Sequence, residues 1–167
     1  MDKPLSNRIA LITGASRGIG AATALALGKA GAHVVAIART TGGLEELDDQ
    51  IRSAGGTATL VPLDITDTGG IARLATALDQ RYGRLDVLIG NAAIVGNTSP
   101  LGHVEPKSWD QVMAINVTAN WHLIRFLDPL RPQFTDHCFT GDYPTPLTDQ
   151  TGQDASPRQL SLLAEAS

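Results

Sequence analysis

RIALITGASRGIGAATALALGKAG, residues Arg8 to Gly31, decides how the rest of the chain reads. Ile9-Ala10-Leu11-Ile12-Thr13 is a short uncharged apolar run, as expected of a parallel strand buried on both faces. Gly14, Gly18 and Gly20 follow it. From Ala21 to Lys29 the composition turns to alanine and leucine, which favour helix, and Gly31 stops that segment. Strand, glycine turn and helix together make the local architecture of a phosphate cradle. Glycine allows the sharp turn and lets backbone N–H groups approach an anion without a Cβ in the way. The start of the helix adds partial positive charge at the same point. A tight strand-to-helix turn with no ligand is the alternative, and the surrounding chain has to decide between them.

Moving outward, the alternation continues. His33 to Ala38 (HVVAIA) reads as a second buried strand. Leu44, Leu47 and Ile51 recur at helical spacing until Gly55-Gly56. Ala58 to Leu63 is a third strand, and its Pro62 suits a strand end or a sheet edge. Ile71, Leu74, Ala75 and Leu78 form the stripe of a third helix, closed by Tyr82-Gly83. Leu85 to Ile89 is a fourth strand, followed by a polar loop from Gly96 to Lys107. Ser108 with Gln111 predicts a capping box that opens a long helix, and Pro129 bounds it. The fold class is therefore α/β: a doubly wound parallel sheet of about four strands with helices on both faces. The glycine turn then sits at the carboxyl ends of the strands, where such sheets bind nucleotides.

The chain as a whole is 167 residues long, enough for one domain with a real core. Hydrophobic residues make up 43%, which suits a soluble globular protein. No apolar run approaches the roughly 20 residues that span a bilayer. The N-terminus MDKPLSNR lacks the basic-then-apolar pattern of a signal peptide. Cys138 is the only cysteine, so no intrachain disulfide forms and a cytoplasmic, reducing setting is expected. His33, His103, His122 and His137 are scattered without metal-ligand spacing, so no metal site is expected. Charge is balanced over residues 1–132, with 12 basic and 12 acidic side chains, and shifts to one Arg against five acids over 133–167. Nothing basic is clustered enough for nucleic acid.

Thr13-Gly14-Ala15-Ser16-Arg17-Gly18-Ile19-Gly20 resembles the TGxxxGxG signature of the short-chain dehydrogenase/reductase family. Three further pieces are similar to that family in the same order: Asp64-Ile65 after the third strand, Gly90-Asn91-Ala92-Ala93 after the fourth, and Asn116 within the long helix. Gly90-Asn91-Ala92-Ala93 departs from the family's NNAG at both ends. The likeness covers about residues 5–131. It implies a Rossmann-like sheet, a nicotinamide dinucleotide as partner, and hydride transfer between an alcohol and a carbonyl. It also implies that Gly14, Ser16, Arg17, Gly18, Ile19, Gly20, Arg39, Asp64, Ile65, Asn91, Ala92 and Ala93 contact the cofactor. Asn116 matches the helix asparagine of the family's Asn-Ser-Tyr-Lys catalytic set.

Each of these residues also has a reading of its own. Asp64 at a strand end can accept from an adenine amino group, or it can belong to the start of the next helix; Thr66, Asp67 and Thr68 can supply that cap instead. Asn91 stands where a strand leaves the sheet, so its amide is suited to tying loop backbone across to a neighbouring strand. Asn116 is a poor helix former in mid-helix, which points to a polar task. For cofactor choice, an acid near the end of the second strand would hold a ribose 2′-OH, whereas a 2′-phosphate calls for arginine. Ala38-Arg39 stands there with no acid until Glu45, and Arg17 adds a second guanidinium. NADP is therefore favoured over NAD, with Arg39 as an ordinary exposed arginine the alternative.

The likeness stops near Arg131. The family's tyrosine acid/base needs a lysine four residues later, because an unperturbed tyrosine with pKa about 10 is a poor base at neutral pH. Tyr82 is followed at that position by Asp86 and Tyr143 by Leu147, so Tyr-x-x-x-Lys is absent. Residues 132–167 carry Pro144, Pro146 and Pro157, a faint helical patch at Leu160, Leu162 and Leu163, and no fifth strand. An irregular or disordered tail is expected there, after a Rossmann-like domain over residues 1–131. A frame-shifted or truncated gene would produce such a break. Three functions follow: the cofactor-binding part of a dehydrogenase that does not turn over alone, a non-catalytic NADP(H)-binding module, or a subunit completed by a partner chain. Without a fifth strand, Leu85 to Ile89 becomes an exposed apolar edge open to pairing, and homo-oligomers are a further expectation.

Overall fold

The computed structural model describes residues 3–130. The expected tail, with His137, Cys138 and Tyr143, lies outside the described residues. Four parallel strands form one sheet in the order β3-β2-β1-β4. They are β1 (Ile9–Thr13), β2 (His33–Ala38), β3 (Thr57–Pro62) and β4 (Val87–Ile89). Between them run α1 (Gly18–Lys29), α2 (Thr41–Ser53) and α3 (Thr68–Tyr82).

Both faces of the sheet are covered, and the alternation of side chains along β2 shows how. Val34, Ala36 and Ala38 join Ile12, Ala24, Leu44, Leu47 and Ile51 in the core under α1 and α2. Val35 and Ile37 point the other way, into a core with Leu11, Ile71, Leu74, Leu78 and Leu88. Leu11, Ile12, Val34, Val35 and Ile37 are fully buried, each burial favouring the fold by about 1.5–3 kcal/mol over exposure. This is why the strands read as unbroken apolar runs.

The helix ends follow from local chemistry. Asp67 caps α3, its Oδ1 accepting from the Gly70 N–H at 2.9 Å. Gly83 closes α3 at φ 63°, where its N–H donates to the Asp79 carbonyl at 2.8 Å. β3 is an outer strand and Pro62 is its last residue, where a missing N–H is tolerated.

After β4 the chain forms a loop and then one long helical rod. It comprises α4 (Pro106–Met113), a π-helical turn (Ala114–Thr118) and α5 (Ala119–Leu127), and a 3₁₀ turn at Asp128–Leu130 ends it. The expected capping box is corrected here. The rod begins two residues before Ser108: Glu105 is the N-cap, without a side-chain cap, and Pro106 takes the first helical position. Proline is well placed there, since its missing N–H would have no partner in the helix. The Ser108 hydroxyl turns to the loop and accepts from the Asn97 N–H at 3.4 Å. Lys107 is accordingly helical, and the loop before it contains a 3₁₀ turn at Leu101–His103.

Other boundaries move by a few residues. α1 starts at Gly18 rather than Ala21, because two of the glycines form its first turn. β3 spans Thr57–Pro62 rather than Ala58 to Leu63. β4 is shorter than Leu85 to Ile89: the Leu85 N–H donates to the Leu130 carbonyl at 2.8 Å, tying the strand's approach to the end of the rod. Just below β4, the Asp86 carboxylate, 3% exposed, accepts from Arg8 at 2.9 Å, from the Ile9 N–H at 2.8 Å and from Arg84. This clamp fixes β1 to β4 at their N-terminal ends. Among the described residues, no helix is long and apolar enough to cross a membrane.

Candidate functional site

The strand order reverses at β1: β2 and β3 lie on one side of it and β4 on the other. Connections leaving a reversal point diverge and open a crevice at the carboxyl ends of the strands. A cavity of about 700 Å³ lies there. All twelve positions expected to contact a cofactor line it: Gly14, Ser16, Arg17, Gly18, Ile19, Gly20, Arg39, Asp64, Ile65, Asn91, Ala92 and Ala93. Asn116 is not among the lining residues.

The glycine turn forms the floor. Gly14 and Gly18 adopt φ of +66° and +58°, which side chains on L-residues rarely allow. Gly20 is required by contact: a Cβ there would strike the Gly14 carbonyl and lie 2.6 Å from the Asn91 amide nitrogen. The first turn of α1 has neither a side-chain cap nor an acidic residue, so no side chain of its own satisfies or neutralises its N–H groups, and its residues Gly18, Ile19 and Gly20 line the cavity. These features fit a phosphate group. The start of α2 lies close by, since a Cβ on Gly43 would sit 2.6 Å from the Ser16 carbonyl.

Two asparagines hold the opposite wall. Asn91 donates its amide to the Thr13 carbonyl at 2.9 Å and the Gly14 carbonyl at 3.3 Å, the cross-strand tie expected of it. Thr13, the one buried polar residue among the described residues, completes that joint: its hydroxyl accepts from the N–H groups of Asn91 and Ala92, each at 3.0 Å. Asn116 grips the loop after β4 with both ends of its amide. Its oxygen accepts from the Ile94 N–H at 3.0 Å and its nitrogen donates to the Ile94 carbonyl at 2.8 Å. The π turn presents Asn116 to that loop, and Asn120 donates to the freed Asn116 carbonyl at 2.8 Å. Gly90 makes room for this, because a Cβ on it would collide with the Asn120 amide oxygen. The departure of Gly90 from the family's pattern thus has a steric reason.

On the β3 side, Asp64 does not cap α3. Its Oδ1 accepts from the Thr66 N–H at 2.9 Å and the Thr66 hydroxyl at 2.8 Å. Those two bonds, the backbone one first, hold its carboxyl below the ordinary range against the effect of burial, and the charge of Arg39 adds to them. Asp64 is therefore an ionised acceptor at the cavity wall at neutral pH. Arg17 and Arg39 are both exposed there. Sequence reasoning did not single out Thr13, Thr40, Gly43, Ile94 or Ile115 as part of this site. Thr13 had a signal, as the one polar residue ending an apolar run; Ile115 and Ile94 had none, because only the fold brings them to the cavity. Among the described residues, no group of histidine, cysteine and acids is arranged to hold a metal.

Fold and site define an α/β protein with a glycine turn opening into a cavity at the switch point of a parallel sheet. The family model described as short chain dehydrogenase matches residues 8–131. A short chain dehydrogenase/reductase of Colletotrichum higginsianum is 37% identical over 122 residues, which is 73% of this chain and 46% of the relative. The cis-4-hydroxycyclohexanecarboxylate dehydrogenase of Sinomonas cyclohexanicum is 37% identical over 71% of this chain and 47% of its own length. A metagenomic short-chain oxidoreductase, solved in complex with NADP, superposes with a TM-score of 0.73 at 40% identity, covering 76% of this chain and 57% of that one. The chain belongs to the short-chain dehydrogenase family and carries its NAD(P)-binding fold. It spans about half the length of the curated relatives it matches.

Proposed function

We propose that this chain is the NADP(H)-binding part of a short-chain dehydrogenase/reductase and that it does not turn over substrate by itself. The observation that carries the reading is the pair Arg17 and Arg39 on the wall of the cavity that holds the glycine turn. Two guanidiniums at that end suit a ribose 2′-phosphate, which each can grip with paired hydrogen bonds. A carboxylate in their place would suit the free 2′-OH of NAD, and after β2 none occurs before Glu45. The metagenomic neighbour's complex with NADP supports the same choice.

In this reading the diphosphate lies over Gly14, Ser16, Gly18 and Gly20, and the adenine reaches Asp64 and Ile65. Asn91, Ala92 and Ala93 line the far side. When bound, the nicotinamide supplies or takes up a hydride. Asn116 acts as a positioning residue through Ile94. The missing Tyr-x-x-x-Lys supports an incomplete catalytic set. A single cysteine supports a reducing, cytoplasmic setting.

Thermal melting of the full chain tests the cofactor assignment. NADPH is expected to raise Tm more than NADH at equal concentration, since a ligand stabilises in proportion to its affinity for the folded state. Equal shifts would remove the Arg17 and Arg39 argument. With NADPH and simple ketones no turnover is expected from the chain alone, and measurable turnover would refute the incompleteness. A second reading, completion by a partner chain, is favoured by β4, which among the described residues pairs only with β1.

A further inference from the structure

Asn120 stands one turn beyond Asn116 on the rod, and asparagine is a poor helix former at both places. Each donates its amide to a backbone carbonyl at 2.8 Å, Asn116 to Ile94 and Asn120 to Asn116. Asn116 also accepts from the Ile94 N–H, so the bonds run in series from the rod to the loop after β4. What they hold is one wall of the cavity: Ala92, Ala93 and Ile94 lie on that loop, and Ile115 lies on the π turn beside Asn116. The near end of the loop is tied separately, by Asn91 to the carbonyls of Thr13 and Gly14.

A bond from an asparagine side chain to the carbonyl four residues earlier is by itself an ordinary helix feature. The glycine opposite this one is not. Gly90, directly after β4, has no positive φ that would demand glycine. Yet a Cβ there would collide with the Asn120 amide oxygen, and the only other atoms it would meet within 4 Å belong to the same amide. The end of β4 is thus matched to this one side chain.

We propose that Asn120 is a positioning residue for the cofactor, setting the β4 wall through Asn116 and Ile94, with Gly90 as its required partner. The part of the ligand it acts on is the nicotinamide half, which reaches that wall in the NADP(H) reading on which this inference rests. Without the Asn120 amide, the Asn116 carbonyl loses its side-chain donor, and the grip on Ile94 is no longer fixed in one geometry. Ordering Ala93 and Ile94 around the ligand then costs affinity. A ligand confined to the glycine turn and the loops after β2 and β3 is spared that cost.

Isothermal titration of the full chain separates this role from a general loss of structure, with NADPH and adenosine 2′,5′-bisphosphate as probes. The bisphosphate carries the adenosine and the 2′-phosphate and lacks the nicotinamide half. Asn120→Ala is expected to weaken NADPH by about fivefold or more and to leave the bisphosphate within about twofold. Asn120→Asp keeps the shape and removes the donor, so it is expected to behave as Asn120→Ala does. Gly90→Ala is expected to weaken NADPH by a similar factor in the unaltered chain. In the Asn120→Ala background it should add less than about twofold, because the two changes act through one contact. Equal weakening of both probes by Asn120→Ala would make Asn120 merely structural and overturn the inference, as would unchanged NADPH affinity in Asn120→Ala or Asn120→Asp. Additive effects of Gly90→Ala and Asn120→Ala would overturn the pairing. NADH binding the unaltered chain as tightly as NADPH would instead overturn the NADP(H) reading, while the same cycle measured with NADH, or by amide exchange at Ile94, still decides the pairing.

Discussion

Gly18 and Gly20 belong to the same turn, yet different forces require them. Gly18 needs its positive φ of 58°, and a Cβ there would meet nothing within 4 Å. Alanine at that site bears the cost of the left-handed conformation alone, about 1–2 kcal/mol. Gly20 sits where the first turn of α1 presses on the end of β1, and its Cβ would run into the Gly14 carbonyl, a backbone atom that cannot swing away. Gly20→Ala must therefore displace the turn itself. Urea denaturation is expected to show a larger loss for Gly20→Ala than for Gly18→Ala, and only Gly20→Ala should abolish the NADPH melting shift. Equal behaviour of the two variants would contradict the assignment of Gly20 to contact and Gly18 to conformation. At this scale the sequence was informative wherever a residue type has few uses. Glycines after an apolar run, and an asparagine leaving a strand, both did what their chemistry suggests. Thr13 was missed because a threonine in a strand has an ordinary explanation, its β-branched shape, and its role depends on β4 lying alongside.

Among the elements, the rod from Pro106 to Leu127 matters most, because its π turn decides where Asn116 points. A plain 3.6-residue periodicity places Asn116 in a helix but cannot register a π turn. That turn exists through contacts the sequence does not announce: Ile94 on one side and Asn120 on the other. Likewise the Ser108-Gln111 pattern was a sound capping signal overridden by Pro106, which starts the helix earlier. Asn116→Ala leaves both backbone groups of Ile94 without their partner, and a partly buried unpaired group costs about 1–3 kcal/mol. Amide exchange at Ile94 is expected to quicken in that variant, and unchanged protection would mean that the loop is held by something else. The clamp joining β1 to β4 gives a pH test. Burial alone would raise the Asp86 pKa, but hydrogen bonds from Arg84, the Ile9 N–H and Arg8, with the charge of Arg84, bring it below its ordinary value. A carboxylate depressed on folding stabilises the fold fully above its unfolded pKa, near 4, and that contribution disappears as pH falls through the folded value. Asp86→Asn is therefore expected to lower stability at pH 7 and to flatten the loss on acidification below about pH 4. An unchanged acid profile would rule Asp86 out as its source.

On the scale of the whole molecule, two apolar surfaces among the described residues bear on self-association. One is the free edge of β4, whose Val87 and Ile89 are only partly buried, while Leu88 is packed under the helices on the other face. The other is a stripe on the rod: Trp109, Met113, Val117 and Trp121, which are 36–52% exposed and recur every four residues. The order β3-β2-β1-β4 puts β4 outermost among the described residues, as the order of apolar runs up to Ile89 suggested; the expected lack of a later strand falls on residues outside them. The stripe was not legible in the sequence, because which face of an amphipathic helix meets the core is decided by the loops that dock it. The two surfaces differ in what can satisfy them. A helix face gains only area, whereas a strand edge also carries unpaired N–H and C=O groups, which a second strand satisfies directionally. The edge should therefore dominate self-association. Sedimentation velocity at increasing concentration is expected to show growing mass for the full chain. Val87→Lys is expected to suppress that growth, since a charge on an edge strand opposes pairing. Trp109→Glu with Trp121→Glu should leave most of it. If the tryptophan variants abolish association and Val87→Lys does not, the rod rather than the edge is the sticking surface. Absence of association in the unaltered chain would mean that both surfaces are already covered, and that the edge of β4 is closed by residues of its own chain.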